Sequence, residues 1–352
     1  MKIESFRIAS VIVIIIISFV VTRFYGGYSI ESIENIAVAN YIRGTRDIRS
    51  FTDSKNTETE RKDIPNEFTI SWPYVFWADS YKTDIILDDE IIMSYTVTRK
   101  QVSQRIYNLL PDHRYLYKVY ACHNNRLFLI RIGNIRPTGA IRMIFVDGLY
   151  NVRDIGGWKT TDGKCVSYGK IFRGSEMNGS HDIHISTDGQ FTLSHQLNIT
   201  ADLDFRTSEE SLEIMESPIG KSVGYVRIPI KSYLEFVADP KEQLIEIMDV
   251  VTSNDIVYMH CWGGCDRTGT ISWLLLGLLG VAEADLDKDY ELSSFSVFGE
   301  RTVDSDAFGY SEMVEYIKRY PGATLQEKIE NYFLDNGVEC EIIEKFKDKM
   351  LR

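Results

Sequence analysis

Residues 260–270 read His-Cys-Trp-Gly-Gly-Cys-Asp-Arg-Thr-Gly-Thr, and this run constrains the fold more than any other. Ahead of it, Asp255-Ile256-Val257-Tyr258-Met259 is short, apolar and rich in β-formers. Behind it, residues 270–279 are apolar and long enough for a buried helix. Strand, glycine-rich loop and helix in that order aim backbone N–H groups and a helix N-terminus at one point. Such a cradle binds a tetrahedral oxyanion. Cys261 stands at its floor and Arg267, six residues on, at its rim.

Each residue type in the run has a chemical reason. A thiol set among converging amides, a helix N-terminus and an arginine has its pKa drawn down to about 3.5–7.5, and the thiolate is the nucleophile. A covalent cysteinyl-phosphate divides hydrolysis into two easier steps. Arg267 suits two equatorial phosphoryl oxygens because its planar fork donates in parallel. Gly263 and Gly264 allow a close backbone approach that a Cβ would block. Trp262, Cys265 and Gly269 complete the expected phosphate-binding loop, and Thr268 is placed to give its hydroxyl to the departing thiolate. His260, at the strand end, suits a loop-anchoring role better than proton transfer.

The run resembles the loop of cysteine-dependent protein tyrosine phosphatases. The nearest pattern is that of the atypical bacterial and fungal tyrosine/serine phosphatases, whose loop reads His-Cys-x-x-Gly-Lys-Asp-Arg-Thr-Gly. Three further stretches are similar to that family: Asn151-Val152-Arg153-Asp154-Ile155-Gly156-Gly157 followed by Phe172-Arg173-Gly174-Ser175, then Asp202-Leu203-Asp204-Phe205-Arg206, then Asp289-Tyr290-Glu291-Leu292-Ser293-Ser294. The resemblance spans roughly residues 145–350. It implies a metal-free, cofactor-free phosphomonoesterase with Cys261 as nucleophile and Arg267 binding the phosphoryl group. It also implies Asp266 as general acid, since residues 228–233 carry no carboxylate; the nearest alternatives there are Glu235 and Asp239. Arg153 and Asp154 are expected to pair and brace the loop, Asp204 and Arg206 to be structural, and Arg173 to be an accessory phosphate contact.

The remainder of the chain sets the architecture. Residues 170–173, 199–204, 225–228 and 255–259 read as strands. Residues 208–215, 239–251, 267–279, 310–319, 325–331 and 339–350 read as helices. The alternation predicts an α/β domain over 141–352, with a mostly parallel central sheet flanked by helices. Before it, residues 68–72, 83–87, 91–97, 115–120 and 127–132 look like short strands of an all-β sandwich over 66–140. Leu110-Pro111-Asp112-His113-Arg114-Tyr115 resembles the tyrosine corner of fibronectin-type sandwiches. Residues 30–65 read as a linker: 31–42 are weakly amphipathic, and 43–65, crowded with charge, Ser, Thr and Asn, read as a solvated stalk. Lys2 and Arg7 precede the apolar stretch 8–21, so residues 1–29 read as a signal peptide or a retained membrane anchor, which places the chain outside the cytoplasm.

Composition narrows the partners. With 51 acidic against 39 basic side chains the net charge is −12, which argues against a nucleic-acid surface. Five scattered cysteines give neither a disulfide framework nor a zinc spacing. Cys265 stands where the family has lysine. Losing that cation removes an attraction for a second phosphate, so the expected substrate is a phosphorylated protein or a small phosphomonoester. The alternatives are an inositol phosphate or phosphoinositide phosphatase on the same scaffold, a surface binding protein working through the sandwich, and an oxyanion reductase. A second thiol four residues from the nucleophile also raises a protective Cys261–Cys265 disulfide as an expectation.

Overall fold

The computed structural model describes residues 28–33, 35–52, 61–179, 181–305 and 309–352. The chain forms two compact units, Met1–Ile33 with Asn66–Thr138 and Glu34–Pro65 with Gly139–Arg352. Of the expected N-terminal signal or anchor, only Tyr28 and Ser29 fall among the described residues. No helix among them is long and apolar enough to cross a membrane.

The first unit is all-β. Its strands are β1 (Tyr28–Ile33), β2 (Phe68–Ser71), β3 (Ser80–Leu87), β4 (Glu90–Thr98), β5 (Ser103–Ile106), β6 (Tyr115–His123) and β7 (Arg126–Thr138). One sheet has the order β1-β7-β6-β3-β4, and β2 pairs with β5 in a second. Period-two burial drives the pairing: Tyr115, Tyr117, Val119 and Ala121 of β6 point inward and their neighbours outward. Two tight hairpins rest on Asp88-Asp89 and Asn124-Asn125, all four with positive φ, the conformation Asp and Asn tolerate best. The tyrosine corner forms, with the Leu110 N–H donating to Tyr115 Oη at 2.8 Å. All five expected strands fall on observed ones. β1 and β5 carried too little apolar alternation to be anticipated.

The second unit opens with α1 (Ile36–Arg43). It then runs β8 (Arg153–Asp154), β9 (Ile171–Gly174), α2 (Thr187–Phe191), β10 (Ala201–Asp204), β11 (Gly224–Arg227), α3 (Tyr233–Val237), α4 (Lys241–Ser253) and β12 (Val257–His260). It closes with α5 (Arg267–Leu278), α6 (Glu283–Glu291), α7 (Tyr310–Ile317), α8 (Leu325–Asp335) and α9 (Cys340–Met350). Its sheet has the order β11-β10-β12-β9-β8. The β11–β10, β10–β12 and β12–β9 pairings are parallel, and β9–β8 is antiparallel. Strand β12 therefore lies inside the sheet. α5 is buried along its length from Thr268 to Leu278, as its apolar run requires.

Two expectations are corrected here. Residues 35–52 and 61–65 are not a solvated linker: they belong to the second unit, where Val38, Tyr41 and Ile48 enter the main core. Asn35 caps α1 by accepting from the Val38 N–H, and its Nδ2 donates to the carbonyls of Lys62 and Ile64. The charged composition concealed a few apolar residues that pack at helical spacing. The helix expected over 208–215 is instead a run of turns, broken where Leu212 and Glu213 take positive φ.

Candidate active site

Strand β12 ends at His260, and the chain turns through residues 261–266 before α5 begins. The carbonyl oxygens of this turn are held from outside. Glu176 N–H donates to Trp262 O at 2.8 Å, and Asn151 Nδ2 to Gly263 O at 3.0 Å. Arg173 Nη2 reaches Gly264 O at 2.7 Å and Cys265 O at 3.3 Å. With the carbonyls fixed outward, the N–H groups are left to the interior of the turn; those of Trp262 through Asp266 meet no acceptor among the described residues. Gly264 has φ +68, and a Cβ on it would lie 2.2 Å from Gly174 O. Glycine is required there by both conformation and space. Cys261, at the start of the turn, is buried. Thr268 Oγ1 is buried and without a hydrogen-bond partner among the described residues. The result is an anion cradle with a thiol at its base.

A buried charge network braces the cradle. Arg173 and Arg153 are fully buried, and both pair with Asp289, at 2.6 Å and 3.1 Å. Arg153 also donates to Asn151 Oδ1. Burial alone would raise the Asp289 pKa, but the two guanidinium groups outweigh it and hold the carboxyl below its ordinary range. Asp289 is thus the counter-charge for both arginines, and it sits in the downstream stretch that resembled the family. The expected Arg153–Asp154 pair does not form, because Arg153 turns to Asp289 while Asp154 meets Arg142 at 3.3 Å and the N–H groups of Gly156 and Gly169. The accessory phosphate role for Arg173 is corrected as well. Its guanidinium lies behind the loop, holding carbonyls.

His260 behaves as a loop anchor. Its Nε2 lies 2.9 Å from Asp202 Oδ1, and burial opposes its charge, but Asp204 and Asp202 together keep its pKa above the ordinary value. Asp204 grips Arg206, which also donates to Glu176 at 2.6 Å, all three being buried. That is the structural role expected of Asp204 and Arg206.

At the rim, Arg267 Nη1 and Nη2 donate to the two oxygens of Glu210 at 2.7 and 2.8 Å. This end-on contact fixes the plane of the guanidinium and leaves its Nε edge. The Arg267 hydrogen bond holds the Glu210 carboxyl below its ordinary range. Asp266 is at the N-cap position of α5 but makes no capping bond with its side chain. Its carboxylate instead accepts from Arg301 Nε at 2.8 Å, Arg301 Nη2 at 3.0 Å and Tyr233 Oη at 2.6 Å. Asp266 and Tyr233 line a cavity of about 690 Å³ together with Lys231, Ser232 and Glu235. Glu235 itself is mostly exposed and only 3.7 Å from Lys231. The Cys265 thiol is buried, donates to Gly263 O and accepts from Asn151 Nδ2. Burial pushes its pKa up to about 12. A thiol held protonated in this way is a poor partner for a disulfide with Cys261.

Asn151, Asp289, Glu210, Arg301 and Tyr233 are the residues that sequence reasoning left without a role. Asn151 and Asp289 lay inside the motifs and were recoverable as partners for the buried arginines. Glu210 and Arg301 lie in irregular segments with no periodicity to mark them. Beside the cradle, Trp262 is 45 % exposed and stacks on His181 with ring centroids 4.5 Å apart. Phe298 meets its edge at 5.8 Å.

The chain is similar to several known proteins. A protein of Cupriavidus necator, named provisionally as a tyrosine-protein phosphatase, is 24% identical over 172 residues. The match takes in 41% of this chain and 60% of that protein, so the chain spans about three-fifths of its relative's length. Among solved structures, the core catalytic domain of the PP-IP phosphatase SIW14 from S. cerevisiae, in complex with citrate, aligns over 49% of this chain and 91% of its own, at 16% identity and a TM-score of 0.32. The fn3 domain of human contactin 1 aligns over 28% of this chain and 92% of its own, at 21% identity and a TM-score of 0.18. Residues 144–352, which hold the cradle, the buried Cys261 and nearly all of the bracing, match the model of one family throughout, and the chain belongs to it: the tyrosine phosphatase family.

Proposed function

We propose that this protein hydrolyses phosphate monoesters through a cysteinyl-phosphate, with phosphotyrosine as the favoured substrate class. The observation that carries the reading is the loop itself, with every carbonyl from Trp262 to Cys265 turned outward around a buried Cys261, and Arg267 on the rim. The Cys261 thiolate attacks phosphorus while the substrate's P–O bond breaks, and the leaving group departs as phenolate, which takes its proton from solvent. Water then attacks the cysteinyl-phosphate, and the P–S bond breaks to release inorganic phosphate and regenerate the thiolate. The loop amides and the Arg267 Nε edge stabilise the charge that spreads over the equatorial oxygens.

Two features support an aryl ester. Cys265 contributes a neutral thiol where a cation would attract a second phosphate. Asp266 has both oxygens committed as acceptors to Arg301 and Tyr233, an arrangement suited to taking a proton from water in the second step. The first step then favours a leaving group that departs without a strong acid, as phenolate does. Trp262, partly exposed and stacked on His181, offers such a ring an aromatic neighbour next to Cys261 in the chain. Phosphate release should be measured over phosphotyrosine and phosphoserine peptides, phosphoinositides and inositol phosphates, with Cys261→Ser as blank. Turnover confined to the inositol compounds would overturn the phosphotyrosine reading. Asp266→Asn should slow breakdown of the cysteinyl-phosphate by up to about 10²–10⁴-fold, so that an activated aryl phosphate gives a burst of phenol followed by slow turnover. Loss of the burst along with the turnover would make Asp266 structural.

The same reading places the catalytic unit outside the cytoplasm, tethered by residues 8–21, whose apolar run follows Lys2 and Arg7. Alkali-resistant recovery of the protein with the membrane fraction tests that tether.

A further inference from the structure

We infer that one end of the β-sandwich is a lipid-contacting surface that seats the first unit on an anionic membrane. This rests on the membrane tether proposed above and goes beyond it by naming the residues that meet the bilayer. Three independent observations meet at that end.

The first is an exposed aromatic cluster. The loop between β2 and β3 reads Trp72-Pro73-Tyr74-Val75-Phe76-Trp77, and the β6–β7 hairpin ends in Leu127-Phe128. Phe76 is 78 % exposed, and Tyr74, Trp77, Leu127 and Phe128 are exposed with it. Trp77 packs edge-on to Phe128 at 5.1 Å, so loop and hairpin form one patch. Trp and Tyr favour the membrane–water interface, where a ring can lie in the apolar zone while its polar edge stays wet.

The second is charge. Ser80 of β3 pairs with Thr98 of β4 and Cys122 of β6, which puts the Arg99-Lys100 turn and Arg126 at the same end as the aromatic loop. Arg99, Lys100 and Arg126 are exposed. The opposite end, beyond Leu87, carries Asp88, Asp89, Glu90 and Asp112 against Arg114 and Arg136, whereas the aromatic end sets only Asp79 against its three cations. Ile91 and Ile92 are exposed there too, so apolar exposure alone does not choose between the ends. Cations beside aromatics do choose, because anionic headgroups attract the one end and repel the other.

The third is the entry of the chain. β1 runs parallel to β7, with Tyr28 opposite Gly133, so its N-terminal end faces the hairpin at Arg126. Gly133 lies seven residues beyond Arg126, and Tyr28 lies seven beyond Val21, where the apolar stretch ends. At about 3.3 Å per extended residue, residues 22–27 are long enough to bring that stretch level with the aromatic patch. A bilayer is the occupant that the aromatics and cations fit, with an apolar stretch of the chain within reach of them.

The test uses the full chain in vesicles of phosphatidylcholine with phosphatidylglycerol, prepared with ordinary or brominated acyl chains. Bromine quenches only indole that reaches the acyl region. The contribution of Trp77, taken as the difference between the protein and Trp77→Phe, should lose most of its intensity in brominated vesicles. Arg99→Glu/Lys100→Glu/Arg126→Glu should restore that intensity while the protein stays on the vesicles. Circular dichroism and turnover of an aryl phosphate show that each variant is folded. Protein that sediments with vesicles while Trp77 remains unquenched overturns this inference and leaves the tether standing. Protein that does not sediment with them overturns both. A Trp77 shielded instead by self-association, and released by Phe76→Ser, would make a second copy the occupant and also overturn it.

Discussion

The two units bury polar groups very differently. The sandwich core is apolar and aromatic, and among its described residues only Thr83, Asp84 and Asn108 are buried polar groups. The second unit buries Arg153, Arg173, Arg206, Asp204, Asp289 and His260 around one loop. Buried ion pairs are weak evidence for stability, because desolvation offsets most of their attraction. A sheet whose ladders satisfy its own backbone has little use for them. A loop that must turn its carbonyls away from its centre has no ladder to do so, and needs buried donors instead. Charge placement in this chain therefore marks where backbone geometry is imposed rather than intrinsic.

The sharpest way to break the contrast is at the nucleophile. Cys261→Ser should abolish phosphate release while vanadate still binds, because the amide cradle and Arg267 remain. Turnover above a few per cent of normal would remove Cys261 from its role. Next is Asp289→Asn, which strips two buried guanidinium groups of their carboxylate. It should lower stability by about 3–5 kcal/mol, seen as a fall in Tm, together with a loss of activity. A smaller drop than that of a sandwich variant would show that the network does not hold the loop.

The third expectation concerns pH. Because His260 has a raised pKa when folded, the protein binds a proton there on folding. The stability this gives is fully present below its unfolded pKa of about 6.5 and is lost as pH rises through the folded value. Thermal melts from mildly acid to mildly alkaline pH should show that decline, and His260→Asn should flatten it. The smallest effect belongs to the sandwich. Tyr115→Phe removes the acceptor for the Leu110 N–H and should cost about 0.5–1.5 kcal/mol with kcat unchanged. A change in kcat would mean that the units are less independent in function than their cores suggest.

Where short-range rules govern the backbone, the sequence could be read directly. The strand–loop–helix at 255–279, the tyrosine corner at Tyr115 and the buried run of α5 follow from local spacing. What escaped was long-range pairing. Arg153 and Asp154 are adjacent and oppositely charged, yet in β8 consecutive side chains point to opposite faces, so each found a partner elsewhere. Glu210 reaches Arg267 from a turn 57 residues away in the sequence. Arg301 reaches Asp266 from a loop with no pattern of its own. The 34–65 segment was misread because its composition is polar on average, whereas a few residues, Val38, Tyr41 and Ile48, decide where it packs.

That segment also bears on how the chain is made. The catalytic unit begins before the sandwich is complete and resumes after it, so the polypeptide passes between the units after Ile33, after Pro65 and after Thr138. β1 leaves the ribosome early but waits for β7, because Tyr28 pairs with Gly133, 105 residues later (133 − 28). Pairings so distant in sequence close slowly. During synthesis α1 and Asp63 are likewise released long before Asn151, whose N–H donates to the Asp63 carboxylate at 2.6 Å. Neither unit can be excised at a single cleavage point. A fragment starting at residue 139 would lack Asn35, Tyr41, Ile48 and Asp63, and would leave the Asn151 side of the loop without its anchor.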